Sequence, residues 1–334
     1  MKKYISSIMI LVNFVQLWAQ DYQQDKYLDS FQMLTVAQPD DYEGKVTFTL
    51  VSKLADEKSN KAVLYIHGYC DYFFQEEYAE QFTKRGINFY ALDLRKYGRS
   101  YLPHQVIYNM RSLEEYFPDI DSALEIIKKE GNDKVLLNAH STGGLISSLY
   151  ANQRKDSPFF DAIFLNSPFL EMNMSWFKRK AAIPLIAKKG LKKPNKTIKG
   201  SSLSFYGESL HKDYRGEWDY DLSVKPIVSP NVTYGFIRAL YLGHNEIKNR
   251  LHITQPILVM HSDKSIQSKS WREDFYYSDS VLDVGDIEKY SYYLGNQVKT
   301  IAIKDGMHDL VLSRTPVRNE VYRNLFDWLD SISF

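Results

Sequence analysis

Apolar and polar positions along the chain repeat with two different periods. "KVTFTLVSKL" (45–54) alternates residue by residue, the mark of a strand with one buried face. "KAVLYIHG" (61–68), "INFYALDL" (87–94) and "KVLLNAH" (134–140) are continuous β-rich runs, as in strands covered on both faces. Helical spacings separate them. "FFQEEYAEQFTKRG" (73–86) closes on a glycine, and "LEEYFPDIDSALEIIKKEG" opens on Ser112 and Glu115 in a capping-box arrangement. A helix from Ser141 to about Arg154 and a strand in "DAIFLNSPF" (161–169) follow. The stretch before residue 45 reads as polar.

The alternation stops after Pro168 and resumes with "QPILVMHS" (255–262). A helix-like stretch from Asp283 to Leu294, a strand "KTIAIKD" (299–305) and the terminal helix pattern "RNEVYRNLFDWLDSI" complete it. Strands alternating with helices predict an α/β protein with a mostly parallel central sheet flanked by helices. Residues 170–250 fit neither half. They are rich in Lys, Trp and Tyr, are punctuated by Pro184, Pro194, Pro226 and Pro230, and read as a cap or lid insertion. Such an insertion emerges at the C-terminal edge of the sheet, where ligands bind in these folds. The predicted organisation is therefore a core in two parts, 20–169 and 251–334, with the cap at 170–250.

Composition narrows the class. A chain of 334 residues, 44% hydrophobic, can build a large core without staples. The net charge of +1 and the lack of a basic-aromatic motif argue against nucleic acid as partner. A single cysteine, Cys70, excludes an internal disulfide framework and a multi-cysteine zinc site. At the N-terminus Lys2 and Lys3 precede an apolar run from Ile8 to about Val15, then Leu17-Trp18-Ala19. That order predicts a secretory signal over 1–19, cleavage after Ala19, and a periplasmic or secreted protein.

The candidate chemistry centres on "NAHSTGGL" (138–145). A strand-to-helix bend at Ser141 would expose its hydroxyl above the sheet, with small neighbours two before and two after. Gly143 meets that need, and Ala139 does so less well than glycine. The plain alternative is that Ser141 only caps the helix. "YIHGYC" ends a strand at His67-Gly68, where the next turn can offer an oxyanion N–H from Tyr69. "DLRKYGRS" (93–100) follows the next strand. "KDGMHDLVLS" (304–313) sets His308 just past the last strand, where a general base can lean over the sheet.

In this order, "HG", "DLRKYGRS", "HSTGG" and "GMHD" resemble the α/β-hydrolase fold, and within it the monoacylglycerol lipase and serine aminopeptidase-like branch, over roughly residues 45–332. The resemblance implies a cap after the sixth strand and a Ser-His-Asp triad. It expects the acid after "PILVMHS". Asp263 in "HSDKS" stands at the strand end, without the usual glycine-containing turn. Asp279 lies in "SDSVLDV", which resembles the relatives' segment leading into a helix. Asp279 is favoured with 264–278 as an insertion, Asp263 is the alternative, Glu171 is a remote third, and Asp283 would cap the next helix.

The expected enzyme is an esterase- or lipase-like serine hydrolase with Ser141, His308 and Asp279 as triad. Tyr69 and Thr142 N–H groups would form the oxyanion hole. An acyl ester would be the substrate, and no cofactor would be needed. One rival is an aminopeptidase, which needs an acid for the substrate ammonium, with Glu171, Glu208 and Glu217 as candidates. Another is a silent binding protein on the same fold. His140 reads as a packing residue and Cys70 as an unlikely nucleophile. His211, His244 and His261 lack metal-ligand spacing, so no metal is expected. The run 178–199 holds nine Lys or Arg and no acid. It is either a solvated surface or an edge that meets an anionic membrane, beside Trp176 and Phe177.

Overall fold

The computed structural model describes residues 21–200 and 204–334; the predicted export signal lies outside them. The chain opens with β1 (Gln23–Gln24), β2 (Gln32–Asp41), β3 (Gly44–Lys53) and β4 (Lys61–Ile66), then α1 (Glu76–Thr83) and β5 (Asn88–Asp93). Next come α2 (Phe117–Lys129), β6 (Lys134–His140), α3 (Thr142–Gln153) and β7 (Ala162–Asn166). After a long excursion, β10 (Ile257–Ser262), α7 (Val284–Ser291), β11 (Val298–Ile303) and α8 (Thr315–Ser331) finish the chain. The excursion itself contains α4 (Ile183–Lys192), β8 (Thr197–Ile198), α5 (Phe205–Leu210), β9 (Val232–Thr233) and α6 (Tyr234–Lys248).

Nine strands form one sheet in the order β1-β2-β3-β5-β4-β6-β7-β10-β11. The pairs from β1 to β5 along this order are antiparallel, and every pair from β5 to β11 is parallel. Alternate side chains of the central strands feed two cores. Leu64, Ile66 and Leu137 point to one layer, and Val63, Tyr65 and Leu136 to the other. Both faces are covered, which is why these strands read as continuous apolar runs.

Two expectations need correction. The polar-looking stretch before residue 45 contains β2, ten residues paired with β3 from Gln32 opposite Ser52 to Asp41 opposite Gly44. One face of β2 meets solvent near the sheet edge, so its apolar signal is thin. The helix expected from residue 73 starts at Glu76. Phe73 is held extended because its N–H donates to Asp93 Oδ1 at 3.0 Å, and buried Gln75 turns inward toward the Tyr65 hydroxyl. Elsewhere the local signals act as written. Ser112 and Glu115 form a capping box before α2, and Asp283 caps α7 through the Gly285 N–H.

β7 and β10 lie side by side, Ile163 opposite Ile257, although about ninety residues separate them. Everything between leaves the sheet edge and returns to it. With the two-residue β1 set aside, β7 is the sixth strand of the sheet. The excursion therefore departs beside the turns that carry the chemistry.

Candidate active site

Ser141 stands between β6 and α3 with φ +52° and ψ −117°, a left-handed conformation that an L side chain seldom adopts. The packing explains how it is held. A Cβ on Gly143 would lie 2.4 Å from the His67 carbonyl oxygen, and one on Gly144 2.7 Å from the Pro168 side chain. Only glycines let α3 approach β4 and the turn after β7 this closely. The Ser141 main chain is tied down as well, its N–H donating to Asn166 O and its carbonyl accepting from Phe169 N. Ser141 makes no side-chain cap to α3, so its hydroxyl is spent elsewhere.

That hydroxyl lies 3.0 Å from His308 Nε2, and His308 Nδ1 lies 2.9 Å from Asp279 Oδ2. The arrangement requires the proton on Nδ1, donated to the carboxylate, and leaves Nε2 as acceptor for the serine hydroxyl. Asp279 is fully buried, and its other oxygen accepts the N–H groups of Val281 and Leu282 at 2.8 and 2.7 Å. Three donors thus fix one carboxylate. The loop 264–278 closes at its own base. Asp279 N–H donates to Lys264 O at 2.9 Å, and Ile266 N–H to Asp279 O at 2.8 Å. This clasp returns the chain to the end of β10. Asp263 is exposed and accepts the Asp305 N–H, away from His308.

The turn after β4 is set by His67. Its Nε2 accepts the Leu94 N–H at 3.1 Å and its Nδ1 meets Gly68 O at 2.8 Å. Burial lowers the affinity of this ring for a second proton. The N–H groups of Tyr69 and Thr142 have no backbone acceptor among the described residues. The "DLRKYGRS" run is scaffold. Asp93 accepts from Phe73 N and from Arg99, and Arg99 in turn grips buried Asp25 of the N-terminal segment.

A family model described as "Serine aminopeptidase, S33" (Hydrolase_4) matches residues 57–277. The chain belongs to this family of α/β hydrolases. Solved structures agree on the fold of the S33 chain. A soluble variant of monoglyceride lipase from Saccharomyces cerevisiae, bound to a substrate analogue, is 18% identical. It covers 89% of this chain and 94% of its own, with a TM-score of 0.66. The monoacylglycerol lipase of Paleococcus ferrophilus is 19% identical over 84% and 98%, with a TM-score of 0.63. Est1E from Butyrivibrio proteoclasticus, bound to ferulic acid, is 15% identical over 86% and 97%, with a TM-score of 0.56. No curated protein sequence matches the chain.

Around the serine of this S33 fold lie residues whose part no motif disclosed. Lys225, from the excursion, sets its ammonium 2.7 Å from Asp71 Oδ1 in the turn that carries Tyr69. Burial would raise the Asp71 carboxyl, but the ammonium, together with the neighbouring His140 and His67 rings, outweighs it and holds the group at about 2. Asp221 N to Tyr72 OH fastens the same segment to the same turn, and Tyr108, whose ring meets Tyr69, donates its hydroxyl to Val224 O. Tyr206 of α5 presents its ring to His308, centroids 5.5 Å apart. His140 lies between Asp71 and Asp309, its Nδ1 3.8 and 3.9 Å from their oxygens. Its ring makes no hydrogen bond among the described residues. The cation serving this cluster is Lys225.

The remaining candidates fall elsewhere. Burial pushes the Cys70 thiol up to about 11, so it stays protonated at neutral pH and is a poor nucleophile. His211, His244 and His261 bond separately to the carbonyls of Tyr220, Phe169 and Ser262. Glu171 pairs with Lys248 at 2.6 Å, Glu208 with Arg215 at 3.2 Å, and Glu217 with Arg314 at 2.7 Å. Each of the three acids is already neutralised.

Proposed function

We propose that the protein is an exported serine hydrolase that cleaves carboxylic esters through an acyl-enzyme. The observation that carries the reading is the continuous chain Ser141 Oγ, His308 Nε2, His308 Nδ1, Asp279 Oδ2, at 3.0 and 2.9 Å. Ser141 attacks the ester carbonyl while its proton passes to His308 Nε2, and Asp279 stabilises the imidazolium formed. The oxyanion takes the N–H groups of Tyr69 and Thr142, the latter at the positive end of α3. His308 then gives its proton to the leaving alcohol. Water repeats the sequence on the acyl-enzyme and frees the acid.

An ester fits better than an aminoacyl peptide because Glu171, Glu208 and Glu217 each face a cation, leaving none of them to bind a substrate ammonium. The wall beside Tyr69 is aromatic, with Tyr108 and Phe236 centroids 5.4 and 4.8 Å from its ring, a surface suited to an acyl chain. The structurally similar proteins named as monoglyceride and monoacylglycerol lipases point the same way. Export rests on the charged and apolar order of residues 1–19. N-terminal sequencing of recovered protein should begin at Gln20, and a full-length cytoplasmic product would remove that part of the proposal. Activity is tested on p-nitrophenyl esters of graded chain length beside aminoacyl amides. Faster amide than ester turnover would overturn the ester reading, and no turnover with no fluorophosphonate labelling would favour a silent binding protein.

A further inference from the structure

Residues 176–192 form one helical run that departs from the sheet edge, with a π-turn at Lys178–Ala182 leading into α4. One side of α4 is buried. Ile183, Ala187 and Gly190 pack inward, and a Cβ on Gly190 would meet the Tyr234 carbonyl of α6 at 2.4 Å. The outer side is unusual for a globular surface. Trp176 is 72% exposed, Phe177 70%, Leu191 66% and Leu185 54%. Single exposed apolar residues are ordinary, but four large ones on one run of helix mark an interaction face.

Lys178, Lys180, Lys188, Lys189 and Lys192 share this run, Lys193 follows it directly, and all six are exposed. Among the described residues, none of the six makes an ion pair. The cation that is paired, Arg179, turns inward to Asp286 at 2.6 Å. Beside the helix, on the side that Trp176 and Lys180 border, opens a cleft of about 420 Å³, also lined by Arg179, Ile183, Tyr241 and Tyr290. Large apolar groups beside free lysines, on a helix that already buries its other side, match a helix lying in the plane of a membrane surface. No helix among the described residues is long and apolar enough to cross one.

We infer that residues 176–192 dock the protein onto a bilayer containing anionic phospholipid. Trp176, Phe177, Leu185 and Leu191 enter the headgroup boundary while the lysines meet the lipid charge. A second copy of the chain is a poor occupant, because a symmetric contact would set lysines against lysines. Nucleic acid would use the lysines and stack on Trp176, but it offers nothing to the two leucines. The location has a consequence that rests on the ester reading. α6, on which α4 packs, carries Phe236 against Tyr69 and His244 on the carbonyl of Phe169. Docking there would bring an acyl lipid to the side of the molecule that holds Ser141.

The test uses the full chain with Ser141→Ala, so that binding is read without turnover. Sedimentation is compared on pure phosphatidylcholine vesicles and on vesicles with about a quarter phosphatidylglycerol. The acidic vesicles should bind the protein more tightly, and the preference should fade at high salt, where the Debye length falls to about 3 Å. Changing Lys178, Lys180, Lys188 and Lys192 together to glutamine should weaken binding at low salt by roughly tenfold or more. Trp176→Ser with Phe177→Ser should weaken it at both salt levels. These side chains are exposed, so melting temperatures should match the parent. On an otherwise wild-type chain, the lysine changes should leave turnover of a soluble short ester unchanged. Equal binding to both vesicles, or binding indifferent to both sets of changes, overturns the inference. Vesicle binding that survives loss of Trp176 and Phe177 and is matched by DNA binding would also overturn it, as plain polyanion attraction. If the wild type hydrolyses no ester, the ester reading fails and the vesicle result still stands.

Discussion

The turn after β6 and the loop after β10 each place one member of the same hydrogen-bonded chain, and they do so in opposite ways. The turn is local. Ser141, Gly143 and Gly144 lie within four positions between β6 and α3, and the missing side chains of the two glycines are what let the bend press against the His67 carbonyl and Pro168. The loop is closed from a distance. Asp279 reaches the end of β10 only because Lys264 and Ile266 bond back to it across fifteen residues that leave and return. Contiguous chemistry leaves a motif in the chain; chemistry assembled by loop closure leaves two competing aspartates.

The largest effect should come from the local member. Ser141→Ala should lower turnover by about 10⁶-fold and abolish fluorophosphonate labelling, with the fold unchanged by circular dichroism. Labelling of that variant at the parent rate would remove Ser141 as nucleophile. The loop is tested by two changes on one soluble ester. Asp279→Asn should cost about 10⁴-fold in turnover near neutral pH, because the imidazole loses its tautomer and its counter-charge. Asp263→Asn should leave turnover nearly intact and cost up to about 1 kcal/mol of stability, since it only accepts the Asp305 N–H. A dead Asp263→Asn enzyme with a live Asp279→Asn enzyme would reverse the assignment.

A third region sharpens the contrast, because the turn holding Tyr69 is anchored by a residue some 150 positions away. Lys225→Met leaves the Asp71 carboxylate buried without its cation and should destabilise the protein by about 3–5 kcal/mol, read by denaturant unfolding. Lys225→Arg should restore much of that. The smallest effect is one of pH. The Asp71 carboxyl is held at about 2 in the folded protein, below its ordinary value, so its contribution is present above about pH 4. It should be lost as pH falls toward 2, amounting to about 2 kcal/mol. Lys225→Met should flatten that part of the acid unfolding curve; an unchanged curve would show that other carboxylates govern it.

Much of the fold is legible along the chain because the central strands are buried on both faces and the caps are local. Ser112 with Glu115, and Asp283, show their roles within four residues. β2 was hidden because a strand beside the sheet edge with a wet face keeps little apolar pattern. Ser141 and His308 are legible from their places after a strand and before a helix, and the resemblance to α/β hydrolases rests on those places. Tyr206 and Lys225 carried no signal. Neither has a motif around it, and each matters only through what it meets.

By itself the sequence determined the alternation of strands and helices, the strained serine turn, the histidine after the last strand, and a basic, tryptophan-bearing stretch outside the core pattern. These depend on neighbours within a few residues, where backbone sterics and burial act directly. Tertiary structure decided the contact of Asp279 with His308, which the sequence only favoured over one from Asp263. It also decided that Lys225 meets Asp71, that Glu171, Glu208 and Glu217 are already paired, and that Trp176 and Phe177 face outward. A charge or a ring has no partner written into its own position. Its partner is chosen when the long loops close and the buried groups must each find one.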